Sequence, residues 1–386
     1  VEGEDDPSNA IQLGRQEYDG LMRLTAVKLG PVDAPRVEQY RYEPGTMQIK
    51  QRITPNSKII DYEYTLSLTD QPVTIRTPED ANGARYSFDL ESAVITAAEN
   101  SEGKRAYEYD SAGFLKGEEW KDANGSVRET RYVHSLRGRQ LTRHDQEGHE
   151  TVYDYDAQGR VSQMTQGALK AVFTHNDFGL LQSTTTTANG PDGKPLHTLV
   201  TALEYDTQSR EILRTLTLDD EPPRTIRQTW LPDSLLATRH LKKGDDSLLD
   251  ETFGYDLRGR LETYDCSGLT LPRDCHANAI TRQVFIFDAF DNIERCITTF
   301  DNGERDTANF SYAGDDRFRL LEVTHSYTKG GYRATQTFDY DADGNMLNDE
   351  NNNPLTYDSQ GRLLSVKMAS GDTQYRYDGH NHLLGV

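Results

Sequence analysis

Tyr-Asp-Tyr-Asp-Ala-Gln-Gly-Arg-Val, from Tyr153 to Val161, decides the fold because it recurs. It returns as Tyr-Glu-Tyr-Asp-Ser-Ala-Gly-Phe-Leu at 107–115, Phe-Gly-Tyr-Asp-Leu-Arg-Gly-Arg-Leu at 253–261 and Phe-Asp-Tyr-Asp-Ala-Asp-Gly-Asn-Met at 338–346. Two more copies follow, Leu-Thr-Tyr-Asp-Ser-Gln-Gly-Arg-Leu at 355–363 and Tyr-Arg-Tyr-Asp-Gly-His-Asn-His-Leu at 375–383. The shared pattern is aromatic-x-aromatic-Asp-x-x-Gly-Arg-Leu. In a strand, side chains two apart share a face, so Tyr107 and Tyr109 should point the same way. The Asp can bond its carboxylate to nearby main-chain N–H groups and start a turn. A glycine three residues on, such as Gly159, supplies the positive φ that closes the turn. Arg then Leu should resume alternation, with the cation outward.

Weaker copies fill the gaps. With the Asp slot as anchor, clear and weak copies together fall at Asp19, Glu43, Thr65, Asp89, Asp110, Ser135, Asp156, Asn176, Asp206 and Leu231, then Asp256, Asp288, Ala313, Asp341, Asp358 and Asp378. The period is about 24 residues, within the range of repeat architectures. Between anchors stand second turn signals: Asp-Ala-Asn-Gly at 122–125, Gln-Glu-Gly-His at 146–149 and Asp-Asn-Gly-Glu at 301–304. Two strands and two turns per period read as one hairpin per repeat. The expectation is an all-β chain of tandem hairpins in a long, twisted, spiralling antiparallel sheet. It forms one continuous array of about sixteen repeats over 1–386, with 1–10 set aside as a disordered or cut end. Only Asp89 to Asn100 is compatible with a short helix as well as with a strand.

Composition agrees. Of 386 residues, 35% are hydrophobic and 27% charged, lean for an ordinary globular core, yet there are 21 Tyr and 12 Phe, too many aromatics for disorder. Tyrosine suits sheets that are wet on at least one face. The formal charge of −21 repels phosphate backbones and argues against nucleic acid as a partner. No apolar run approaches the ~20 residues needed to cross a bilayer, so no membrane insertion by this segment is expected. The acidic start Val-Glu-Gly-Glu-Asp-Asp does not read as a signal peptide. Cys266 and Cys275 stand close enough to pair across their loop. With Cys296 the count is odd, and three free thiols are the expectation.

These repeats resemble the Rhs/YD-repeat family, whose signature is Tyr-x-Tyr-Asp-x-x-Gly-Arg-Leu. The likeness runs from about Tyr18 to Leu383. The family includes bacterial Rhs proteins, B and C components of insecticidal toxin complexes, and teneurins. The resemblance implies a β ribbon that spirals into a hollow shell, non-catalytic, secreted or at the cell surface. In bacterial members the shell encloses a C-terminal toxin polypeptide. The implied partner is therefore an enclosed toxin or the remainder of the shell. The alternative is a cell-surface adhesion module that stacks tyrosines and tryptophans on carbohydrate. One departure stands out. Bacterial family members usually end the shell in an Asp-Pro-x-Gly motif, whereas the Asp6-Pro7 found here continues into Ser8 and Asn9. An excerpt, or a subunit that closes with others, is the expectation.

Candidate chemistry is sparse. Asp339, Asp341, Asp343 and Glu350 fit the spacing of a helix-flanked calcium loop. Strand-like residues precede them and Asn353-Pro354 follows, which favours a repeat turn over a metal site. His144 and His149 flank a glycine-containing turn, and His380, Asn381 and His382 occupy the last repeat turn. No nucleophile elbow and no phosphate-cradling glycine loop occurs. No catalytic residue, cofactor or metal is expected.

Overall fold

Each repeat folds as two antiparallel strands closed by the Asp-x-x-Gly turn. In a computed structural model, which describes residues 14–385 apart from 31, 67 and 315, the Asp156 N–H donates to the Arg160 carbonyl at 2.9 Å and the Gly159 N–H donates to the Asp156 carbonyl at 2.9 Å. This is a type I turn followed by a left-handed residue, with Gly159 at φ 86°. Degenerate copies keep the geometry without glycine. Ser209, Ser234, Asp291 and Asn381 take its place at φ 64°, 68°, 67° and 67°. The weak copy at Leu231 closes the same way, with its N–H 2.8 Å from the Leu235 carbonyl.

A β-bulge sits at the aromatic before the Asp slot in copy after copy, at Glu17/Tyr18, Arg41/Tyr42, Asp154/Tyr155, Glu204/Tyr205, Gly254/Tyr255 and Arg376/Tyr377 among others. A bulge bends its strand and adds right-handed twist. Repetition at one end of every hairpin gives the ribbon a cumulative coil.

The strands form one meander. β1 (Gly14–Tyr18) pairs with β2 (Leu24–Leu29), β2 with β3 (Arg36–Tyr42), and so on until β26 (Leu320–His325) pairs with β27 (Thr335–Thr337), in a single 27-stranded antiparallel sheet. β1 and β27 are not paired with each other, so the sheet is not closed. Two small sheets follow, β28 to β30 (Leu355–Tyr357, Leu363–Met368, Gly371–Gln374) and β31 with β32 (Arg376–Tyr377, Leu383–Gly385). There is no helix among the described residues. The ambiguous segment at Asp89–Asn100 resolves into a turn and strand β8 (Ile95–Asn100). In β9 (Gly103–Tyr109), Tyr107 and Tyr109 are half-buried on one face while Glu108 between them is exposed.

The core is thin, as the composition requires. Among the described residues the largest side chains that are fully buried are Ile60 and Asp378. That one of the two is a carboxylate points to where the ribbon packs on itself.

Candidate functional site: the repeat stitch and the seam

The signature residues form a stitch from one repeat to the next. Asp156 accepts the Gln158 and Arg160 N–H groups on Oδ1 at 3.0 and 2.9 Å, and Arg160 Nε on Oδ2 at 2.7 Å. Tyr155 donates its hydroxyl to the carbonyl of Gln140, just past the preceding turn, at 2.6 Å. The same bond runs from Tyr42 to Leu24, Tyr205 to Leu181, Tyr255 to Leu236 and Tyr377 to Leu363, at 2.8 to 2.9 Å. Trp230 substitutes its indole N–H, 2.8 Å from the Glu211 carbonyl. Each hydroxyl satisfies a carbonyl that the bulge takes out of the ladder.

The arginine does not point outward, contrary to the alternation expected from the sequence. It folds back between its own Asp and the aromatic of the next repeat. Arg23 lies 4.7 Å from the Tyr42 ring centre, Arg260 4.6 Å from Phe287 and Arg362 5.0 Å from Tyr377. A carboxylate on one side and a π face on the other hold a guanidinium better than water does on one side alone. The guanidinium also reaches onward, as when Arg210 Nη1 donates to the Leu231 carbonyl at 2.9 Å. The Arg23 guanidinium, helped by backbone N–H groups, holds Asp19 below the usual carboxylate range. The constant four-residue spacing from Asp to Arg was the available signal, and strand alternation obscured it.

The second feature is a seam. Residues 273 to 293 positions apart are hydrogen-bonded, which brings the last turns against the first strands. Arg36 Nη2 meets Asp316 Oδ2 at 2.7 Å, the Asn56 N–H donates to Asp343 Oδ1 at 2.7 Å, and the Ser359 hydroxyl donates to Glu79 at 2.6 Å. A cavity of about 260 Å³ lies there, with Arg36, Arg52, Glu38, Asp343 and Ser359 lining it beside the apolar Val27 and Leu29. At the far end, Asp378 is fully buried and pairs with Arg105 of β9 at 2.9 Å. Arg105 also pairs with Glu118 of β10 (Leu115–Asp122). The Tyr86 hydroxyl donates to the Gly379 carbonyl at 2.6 Å, and Asn100 donates to the Tyr377 carbonyl at 2.9 Å. Burial alone would raise Asp378, but the His382 N–H and the Arg105 guanidinium hold it below its usual range.

The four carboxylates of the calcium-like spacing serve separate roles. Asp341 accepts the Asn345 N–H and side-chain amide at 2.8 and 3.0 Å, Asp343 caps Asn56 across the seam, and Asp339 and Glu350 are exposed. Among the described residues no group of three or more His, Cys, Asp or Glu is placed to hold a metal ion. His144 faces Glu150 at 3.5 Å and His149 faces Asp145 at 3.2 Å, each with its own carboxylate. Cys266, Cys275 and Cys296 are all free, and Cys275 alone of the three is exposed. His380 lies in the seam, while His382 beside it is mostly exposed.

A coiling ribbon of stitched hairpins defines a β-repeat protein. Residues 271–384 match the teneurin YD-shell family model and residues 134–168 match the RHS repeat model, the family that the repeats resemble. It is similar in fold to a Tc holotoxin pore structure from Photorhabdus luminescens, with TM-score 0.59, 13% identity, and coverage of 96% of this chain and 21% of that one. It is also similar to the TcdB2-TccC3-Cdc42 crystal structure, with TM-score 0.56, 13% identity, and coverage of 95% and 23%. The chain thus spans less than a quarter of the length of these neighbours. No curated protein sequence matches it. Family and fold together support a structural shell role.

Proposed function

We propose that the chain is a non-catalytic wall segment of a secreted toxin shell, surrounding a toxin polypeptide together with further shell protein. The observation that carries this reading is the seam, because a ribbon that returns to its own first strands is built to enclose space. The neighbours of like fold belong to a Tc holotoxin and to TcdB2-TccC3 assemblies. A polar surface also suits a container, since it offers an unfolded guest few apolar footholds. The carbohydrate-binding alternative draws less support. Trp120 is buried, and Trp230 is half-buried with its indole N–H committed to the Glu211 carbonyl.

The test is protease protection in the toxin-bearing polypeptide to which this reading assigns the segment. Deleting residues 14–385 should make the toxin region at least about tenfold more susceptible to cleavage, because susceptibility follows the population of the open form. Equal protection with and without the segment would remove encapsulation and bring the adhesion reading forward.

A further inference from the structure

The last repeat has lost its own arginine. Where the consensus copies carry Gly-Arg, as at Gly159-Arg160 and Gly361-Arg362, it carries Asn381-His382, and Asp378 takes Arg105 from the first strands instead. Beside that pair His380 stands between two tyrosines, tilted to Tyr86 of β7 (Ala84–Phe88) with ring centres 5.8 Å apart and T-shaped to Tyr107 of β9 at 5.7 Å. Its Nε2 is buried and has no hydrogen-bond partner. Gly379 alongside packs so closely that an added Cβ would stand 3.4 Å from the Ala98 Cβ. The site therefore favours a neutral imidazole, because a proton arriving at the buried Nε2 would find no acceptor among the described residues.

We propose that the seam is an acid-labile latch, in which protonation of His380 undocks the last turn from β7, β8 and β9. The groups facing His380 are Asp378 and His382 of its own turn, Tyr86 of β7, Arg105 and Tyr107 of β9 and Glu118 of β10. Asp378 and Glu118 favour the imidazolium, but each is already engaged by Arg105. Burial dominates, with Arg105 and His382 adding like charge, and together they push the His380 pKa down. Tyr107, raised by burial to about 12, stays neutral throughout.

The sign follows. A histidine whose pKa falls on docking stabilises the docked state fully above the undocked value. That stabilisation weakens as pH drops through about 6.5. Asp378, held low, supports the seam through this window and is lost only at more acidic pH. At pH 5.5 an imidazole that cannot be protonated while docked weakens docking by about tenfold. If the chain is a shell wall, as proposed above, acidification opens that wall at its seam.

The test needs only the chain itself, so it is independent of any enclosed toxin. Hydrogen-exchange protection of the Asp378 and Asn381 amides, corrected for intrinsic rates, is measured at pH 7.5 and 5.5. Protection should fall by about tenfold in the wild type, stay constant in His380→Phe, which keeps an aromatic ring between the tyrosines, and still fall in His382→Gln. Three results would each overturn the latch: pH-independent protection in the wild type, a pH-dependent fall retained in His380→Phe, or a fall abolished by His382→Gln alone. Loss of docking in His380→Phe at pH 7.5 would be answered by His380→Gln, under the same criterion.

Discussion

The repeat turn at Asp156 and the repeat turn at Asp378 begin from the same motif and end in opposite environments. At Asp156 the turn stands at the ribbon's edge, its carboxylate is satisfied within its own repeat by Arg160, and Gln158 at its tip is exposed. At Asp378 the carboxylate is fully buried and its guanidinium comes from a strand 273 residues earlier. The tips of the two classes differ as well. Free turns carry large apolar side chains such as Leu136, Phe178 and Leu257, whereas docked turns carry Asp343, Ser359 and Gly379. In the last copy, loss of the consensus arginine goes with a change of partner, from the same repeat to a distant strand.

The comparison breaks most readily at Asp378. Asp378→Ala leaves Arg105 with Glu118 as its remaining partner in a buried place and should destabilise docking by about 3 kcal/mol. Asp156→Ala should lower the denaturation midpoint much less, because Arg160 can turn to water. Equal effects of the two changes on the urea midpoint would mean that the seam contributes no more than an ordinary turn.

Gly159→Val sharpens the shared part. At φ 86° a β-branched residue is strained by about 1–3 kcal/mol, and an added Cβ would also crowd the Arg139 guanidinium. Chemical denaturation reads this directly, and an unchanged midpoint would argue that the turn relaxes freely. A smaller effect is expected at the stitch. Tyr155→Phe removes the hydroxyl bonded to the Gln140 carbonyl and should cost about 1 kcal/mol, as should Tyr377→Phe at Leu363. The smallest expected effect is none. Calorimetric titration of calcium should give no micromolar binding that Asp343→Ala abolishes, since Asp343 caps Asn56 and does not converge with Asp339 and Glu350.

Much of the fold was legible in the sequence because the repeat encodes local geometry. Tyr at alternate positions, Asp at the turn and a positive-φ glycine are each read within nine residues, and the hairpins follow from them. Arg160 was misplaced because alternation accounts for a strand alone, whereas its position depends on Asp156, four residues back across the turn. The seam was not legible from local pattern. Arg105 has nothing in its neighbourhood to show that Asp378 is its partner, and His380 reads as an exposed turn residue until the ribbon has coiled. The replacement of Arg by His382 in the last copy was the one visible sign.

The docking of the last turn on the first strands can be tested by covalent trapping. With Cys275→Ser in the background to remove the exposed thiol, Ala98→Cys and Gly379→Cys are combined in the full chain. The built Cβ separation of 3.4 Å is close to the spacing of native disulfides. Mild oxidation should give an intramolecular bond joining the two ends, seen as a non-reducing mobility shift and as one cross-linked peptide. Thiols that remain free, or that link only between molecules, would contradict the seam and with it the packing of the last turns on the first strands.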